Sequence, residues 1–146
     1  MTIKTSRLAQ AACALALATI ATAAFAAPPN DDWASRTPIT TLPFAETLKG
    51  IETATSPATD PYIECVRQGD HERADDSVWY EYATGAADEF VDVSATGYDT
   101  LIGVFEGAPD SGFTEVRGGC NDDGFRPAGG SRIFGLRLRA NTRYSF

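Results

Sequence analysis

An all-β sandwich of about eight short strands is the fold this sequence predicts, on three observations. Beyond residue 26 no long segment carries a 3.6-residue apolar period. Short runs rich in Val, Ile, Phe, Tyr, Trp and Thr instead recur between Gly, Asp and Pro punctuation. Several of those runs alternate apolar and polar residues, the period of a pleated strand with one buried face.

Taken in order, the chain opens on a leader. Lys4 and Arg7 precede an Ala/Leu run, and Ala24-Phe25-Ala26 supplies a small-x-small cleavage site, so residues 1–26 are predicted to be a secretory signal peptide. A membrane anchor is the rival, but the run is short, broken by Thr19 and Thr22, and followed by Pro28 and Pro29. The expected location is therefore secreted, periplasmic or extracellular. Residues 27–146, about 120 in number, suit a single domain with a sufficient but modest core.

Strands are predicted over Ile39 to Phe44, Glu46 to Ile51, Val78 to Ala83, Phe90 to Ala95, Thr100 to Glu106, Thr114 to Arg117, Ile133 to Arg139 and Arg143 to Phe146. In the third, Val78, Tyr80 and Tyr82 share one face and Trp79 and Glu81 the other. The fifth, within "DTLIGVFEG", is apolar on both faces and reads as a central strand. In the seventh, Phe134, Leu136 and Leu138 are expected to point inward while Arg137 and Arg139 meet water. Thr53 to Asp76 is polar, carries two prolines and reads as a long surface loop. The closing "ANTRYSF" reads as a turn and a strand that stops mid-run, so one further strand, or a longer protein, is expected beyond it.

Charge narrows the partners. The chain has 12 Lys and Arg against 20 Asp and Glu, a net charge of −8. Loss of Lys4 and Arg7 with the leader makes this about −10, which disfavours nucleic acid and anionic membrane. Arg132, Arg137, Arg139 and Arg143 gather on the last strands. They read either as a local basic face or, more simply, as a solvated strand face that discourages edge pairing.

Cys13 leaves with the leader, so Cys65 and Cys120 can form one intramolecular disulfide in an oxidising compartment. Closing a loop of that span stabilises the fold by about 4 kcal/mol in the chain-entropy picture. Zinc would need two further soft or imidazole ligands, and His71 is the only histidine.

Catalysis finds little support. His71 lies in the polar run "QGDHERADD", and no Gly-x-Ser-x-Gly elbow occurs anywhere. Asp88, Glu89, Asp92, Asp99 and Glu106 are numerous, yet a general acid needs a dry pocket to raise its pKa. The stretch "GGCNDDGF" fails as an EF-hand loop: with Gly124 at position 6, Gly119 and Gly130 would stand where side-chain ligands are required. It reads as a turn, with calcium ligation by Asp122 or Asp123 as the rival. Trp33 and Trp79 are candidates for a stacking platform for sugar or protein; both also suit core packing.

Five pieces in sequence, "NDDWASRTPI", "LPFAETL", "DDSVWYEYAT", "YDTLIGVFEG" and "EVRGGCNDD", resemble the bacterial pre-peptidase C-terminal domain, a β-sandwich appended to many secreted hydrolases. The likeness covers most of Asn30 to Phe146. It implies a jelly-roll-like antiparallel sandwich that is not an enzyme and requires no cofactor. Such a module attaches to a polysaccharide or protein polymer or a cell-surface partner, or assists a larger secreted protein. A self-standing structural or envelope protein without a ligand is the alternative, and a small secreted hydrolase a remote one. Calcium-holding relatives imply a Ca²⁺ site at Asn30, Asp31, Asp75 and Asp76, hard oxygen donors suited to that ion. Those relatives carry acidic residues ahead of the Asn segment, where this chain has Ala27, Pro28 and Pro29. A solvated acidic edge is the competing account.

Overall fold

Seven strands form in the computed structural model, which describes residues 26–65, 75–124 and 129–146. Almost all of the predicted leader, together with His71, lies outside the described residues. The strands are β1 (Thr37–Ile39), β2 (Tyr80–Ala83), β3 (Glu89–Ala95), β4 (Leu101–Ala108), β5 (Gly112–Asp122), β6 (Ser131–Leu138) and β7 (Arg143–Ser145). They build an all-β sandwich: a five-stranded sheet in the order β1-β2-β7-β4-β5 and a two-stranded sheet of β3 and β6. Pairing is antiparallel except between β1 and β2. Among the described residues no helix is long and apolar enough to cross a membrane.

Between the sheets lie Ile102, Val104, Ile133, Leu136, Leu138 and Tyr144, with Val91 and Val93 packed against them. The predicted central strand is β4. Its alternation sends Ile102 and Val104 into this core and buries Phe105 on the opposite face.

Four expectations are corrected. Residues 39–44 and 46–51 do not form strands: only Ile39 belongs to one, and residues 40–47 are exposed. Pro43 has no N–H to give a ladder, whereas Pro38 is accommodated in β1, an edge strand. The predicted four-residue strand at Thr114 is instead the 11-residue β5, which runs past Cys120 to Asp122. The pairing of β4 with β5 shifts between Gly103 and Phe105, and this irregularity lets β5 continue through Gly118 and Gly119. A Cβ at Gly119 would stand 2.8 Å from Val116 O and 3.0 Å from Val104 Cβ, so only glycine fits there.

The fourth correction concerns Phe134, which is 67% exposed rather than inward. The ladder of β3 with β6 shifts between Val91 and Val93, and Gly135 takes φ +56°. This bulge puts two successive residues, Phe134 and Gly135, outward and restores Ile133 and Leu136 to the core.

Candidate functional site

The bulge creates the most distinctive surface of the molecule. On the outer face of the β3–β6 pair, Phe90 is 71% exposed and stands opposite Arg137, while Phe134 flanks Asp92. Asp92 Oδ1 accepts from Gly135 N at 2.8 Å and so fixes the bulge. The Arg132 guanidinium lies 4.0 Å over the Phe134 ring and pairs with Asp92 at 3.7 Å. Arg137 donates to Asp88 Oδ2, and Asp88 Oδ1 accepts from Ala140 N at 2.9 Å. Together these hold the Asp88 carboxyl below its ordinary value, the Arg137 bond first.

The other two arginines are also paired, Arg139 with Glu106 and Arg143 with Glu81. The four therefore do not add up to a basic face; each answers a carboxylate. Sequence alternation assigned Phe134 inward because the bulge that turns it outward shows only as one glycine among thirteen.

The tryptophans sit elsewhere, on the outer face of the five-stranded sheet. Trp79 is 4% exposed, with its ring 5.3 Å from Phe113 in a stacked arrangement. Among the described residues its Nε1 has no partner. Trp33 is half-buried; its Nε1 donates to Ser145 Oγ at 3.0 Å, and Arg36 lies 3.8 Å over its ring. Both rings are engaged in packing. Arg36 in turn donates through Nε and Nη2 to Glu81 Oε2, at 2.9 and 2.7 Å.

Cys65 and Cys120 form the disulfide, with Cα atoms 5.8 Å apart. The bond pins the loop that contains Cys65 to β5, beside the same aromatic layer.

The acidic candidates separate into different places. Asn30 is fully buried: its Nδ2 donates to Trp79 O at 3.1 Å, and its Oδ1 has no partner among the described residues. Asp31 Oδ1 accepts from Thr55 N at 2.6 Å and Thr55 Oγ1 at 3.1 Å. Asp75 and Asp76 are exposed and line a cleft of about 620 Å³. Asp31, Asp75 and Asp76 do not bring their oxygens together. The one carboxylate group that converges among the described residues, within 4.8 Å, is Asp99, Asp122 and Asp123. There the Asp122 carboxyl is pushed up from its ordinary value by partial burial, then by the charges of Asp123 and Asp99. All three are exposed. The donor set implied for Ca²⁺ by resemblance is thus divided between a buried amide, a carboxylate already engaged and two open side chains. No chemistry is assigned to a metal here.

No family model, curated protein or solved structure matches the chain.

Proposed function

We propose that this chain is an exported, non-catalytic sandwich module that attaches to a neutral polysaccharide through the outer face of the β3–β6 pair. One observation carries the proposal: two phenylalanines, 71% and 67% exposed, lie on one face of a rigid strand pair and are flanked by paired arginines. Large apolar side chains on a solvent face lose free energy to water unless something covers them. Flat rings pack on the C–H faces of sugar rings, and guanidinium and carboxylate groups at their edges suit hydroxyls. The acidic balance of the chain favours a neutral polymer over an anionic one. Export rests on the leader pattern and on a disulfide of the kind that persists in oxidising compartments.

Retention of purified residues 27–146 on cellulose, chitin, peptidoglycan and collagen tests it. The expected result is binding to cellulose or chitin that the Phe90→Ala/Phe134→Ala variant loses, while stability changes by no more than about 1 kcal/mol, the sum of two exposed positions. Equal retention of parent and variant, or retention on collagen alone, overturns the assignment.

A further inference from the structure

The outer face of the β3–β6 pair carries more than two exposed rings. Asp88, Phe90 and Asp92 follow one another at every second residue and share this face, all three exposed. Arg137 stands opposite Phe90 on β6 and leans to the Asp88 end, where its Nε and Nη2 both donate to Asp88 Oδ2. Those two nitrogens lie on one edge of the planar guanidinium. Nη1 keeps its N–H groups on the other edge, with no acceptor among the described residues. At the far end Asp92 spends Oδ1 on Gly135 N at 2.8 Å. Its Oδ2 has only the Arg132 guanidinium at 3.7 Å, beyond hydrogen-bond reach, and the side chain is 55% exposed.

Phe90 is thus flanked along its strand by an unspent donor on one side and an unspent acceptor on the other. Each charge is answered within the face, Arg137 by Asp88 and Arg132 by Asp92. The face therefore selects polar groups rather than a net charge. A hydroxyl offers donor and acceptor at a single oxygen, and so answers one end at a time. A secondary amide answers both, because its N–H and C=O point in opposite directions from one rigid plane. That plane is flat, as the Phe90 ring is, and its dipole of about 3.5 D aligns between the guanidinium and the carboxylate. The methyl of an acetamide, and the C–H face of the sugar that bears it, then cover Phe90 and Phe134.

We infer that the polymer taken by this face is one of N-acetylated amino sugars, and that Arg137 and Asp92 read its acetamido group, the first donating to the carbonyl and the second accepting from the N–H. The inference rests on the polysaccharide reading of the same face and narrows it from neutral polymers generally to acetamido ones. Asp92 serves twice, because the oxygen that holds the bulge and the oxygen that faces the ligand are different atoms.

The probes are the soluble oligomers tetra-N-acetylchitotetraose and cellotetraose, which differ in carrying an acetamido group or a hydroxyl at one position of each sugar. They are titrated into residues 27–146 while the amide resonances are followed. The acetylated oligomer is expected to move the signals of Phe90, Asp92 and Gly135 and to bind about tenfold more tightly than cellotetraose, the effect of one hydrogen bond to a charged group. Asp92→Asn keeps an oxygen for Gly135 N but turns Oδ2 into a donor. It should lose the preference and bind the two oligomers alike, with the Gly135 resonance showing the bulge in place. Arg137→Lys, which keeps a cation for Asp88 but has no second edge, should lose it too. Equal affinity of the parent for the two oligomers, or a preference undiminished in Asp92→Asn, overturns the inference and leaves the polysaccharide reading standing. So does binding of neither oligomer, and the polysaccharide reading falls with it only when the solid polymers also fail to retain the chain. Equal affinity for N-acetylated tetraglycine amide overturns the inference as well and assigns the face to a polypeptide.

Discussion

The two faces of the five-stranded sheet are covered in opposite ways. On the inner face β3 and β6 deliver aliphatic side chains in fixed register, and Val104, Leu138 and Tyr144 lose essentially all contact with water. On the outer face the cover is irregular chain. It is held by aromatic contacts of Trp33 and Trp79 with Phe113, by the Arg36–Glu81 pair and by the Cys65–Cys120 bond. Strands supply their own alignment through ladder hydrogen bonds, so an aliphatic core suffices beneath them. Irregular segments have no ladder and need point attachments that each fix a position.

Breaking the strongest attachment is the sharpest test of that contrast. Cys65 and Cys120 are 55 residues apart in sequence, so replacing both with serine is expected to cost about 4 kcal/mol, mainly by freeing the unfolded chain. Urea denaturation measures the loss. Limited proteolysis of the variant should cut first within residues 50–65, leaving the β3–β6 side intact; uniform digestion would show that the two covers are not independent.

Leu138→Ala attacks the other face. Leu138 is fully buried at the centre of the aliphatic cluster, and truncation there is expected to cost about 3 kcal/mol through lost transfer energy and a residual cavity. Its signature differs from that of the cysteine variant: the whole transition moves to lower denaturant with the same slope, because both sheets lose the layer they share.

The contrast also explains what could be read from the sequence. Strand β4 was legible because a run apolar on both faces can only be covered twice, once by the aliphatic core and once by the outer aromatic layer. The disulfide was legible from counting alone, since the leader pattern expected over residues 1–26 leaves Cys65 and Cys120 as the two remaining cysteines. Residues 40–51 were not, since β-rich composition cannot show that a chain packs on a sheet without joining it; Pro43 was the available sign. The exposed phenylalanine face was hidden for a different reason. Strict alternation assigns Phe134 inward, and one bulged residue inverts the assignment for everything on one side of it. Which strands are neighbours was not legible either, because the order β1-β2-β7-β4-β5 is a long-range property that no local pattern encodes.

The smallest expected effect probes how the strand-free stretch 40–50 is fastened. Tyr80 on β2 meets it twice: its ring packs edge-on against Phe44 at 5.7 Å, and its hydroxyl donates to Glu46 Oε2 at 3.0 Å. Burial first, and then the bond and charge of Glu46, raise the phenol from the ordinary 10.0 to about 12. A raised pKa means that the folded state holds this proton more tightly than the unfolded chain. The associated stability is therefore complete below pH 10 and lost as pH climbs through the window from 10 to 12. Tyr80→Phe cannot ionise, so its stability should fall less steeply over that window while differing little from the parent at neutral pH, where an exposed hydrogen bond contributes least. Some slope remains, because the Tyr82 phenol is also raised, chiefly by its bond to Glu89. Parallel curves for parent and variant between pH 9 and 12 would show that the stretch is fastened by the Phe44 ring contact alone.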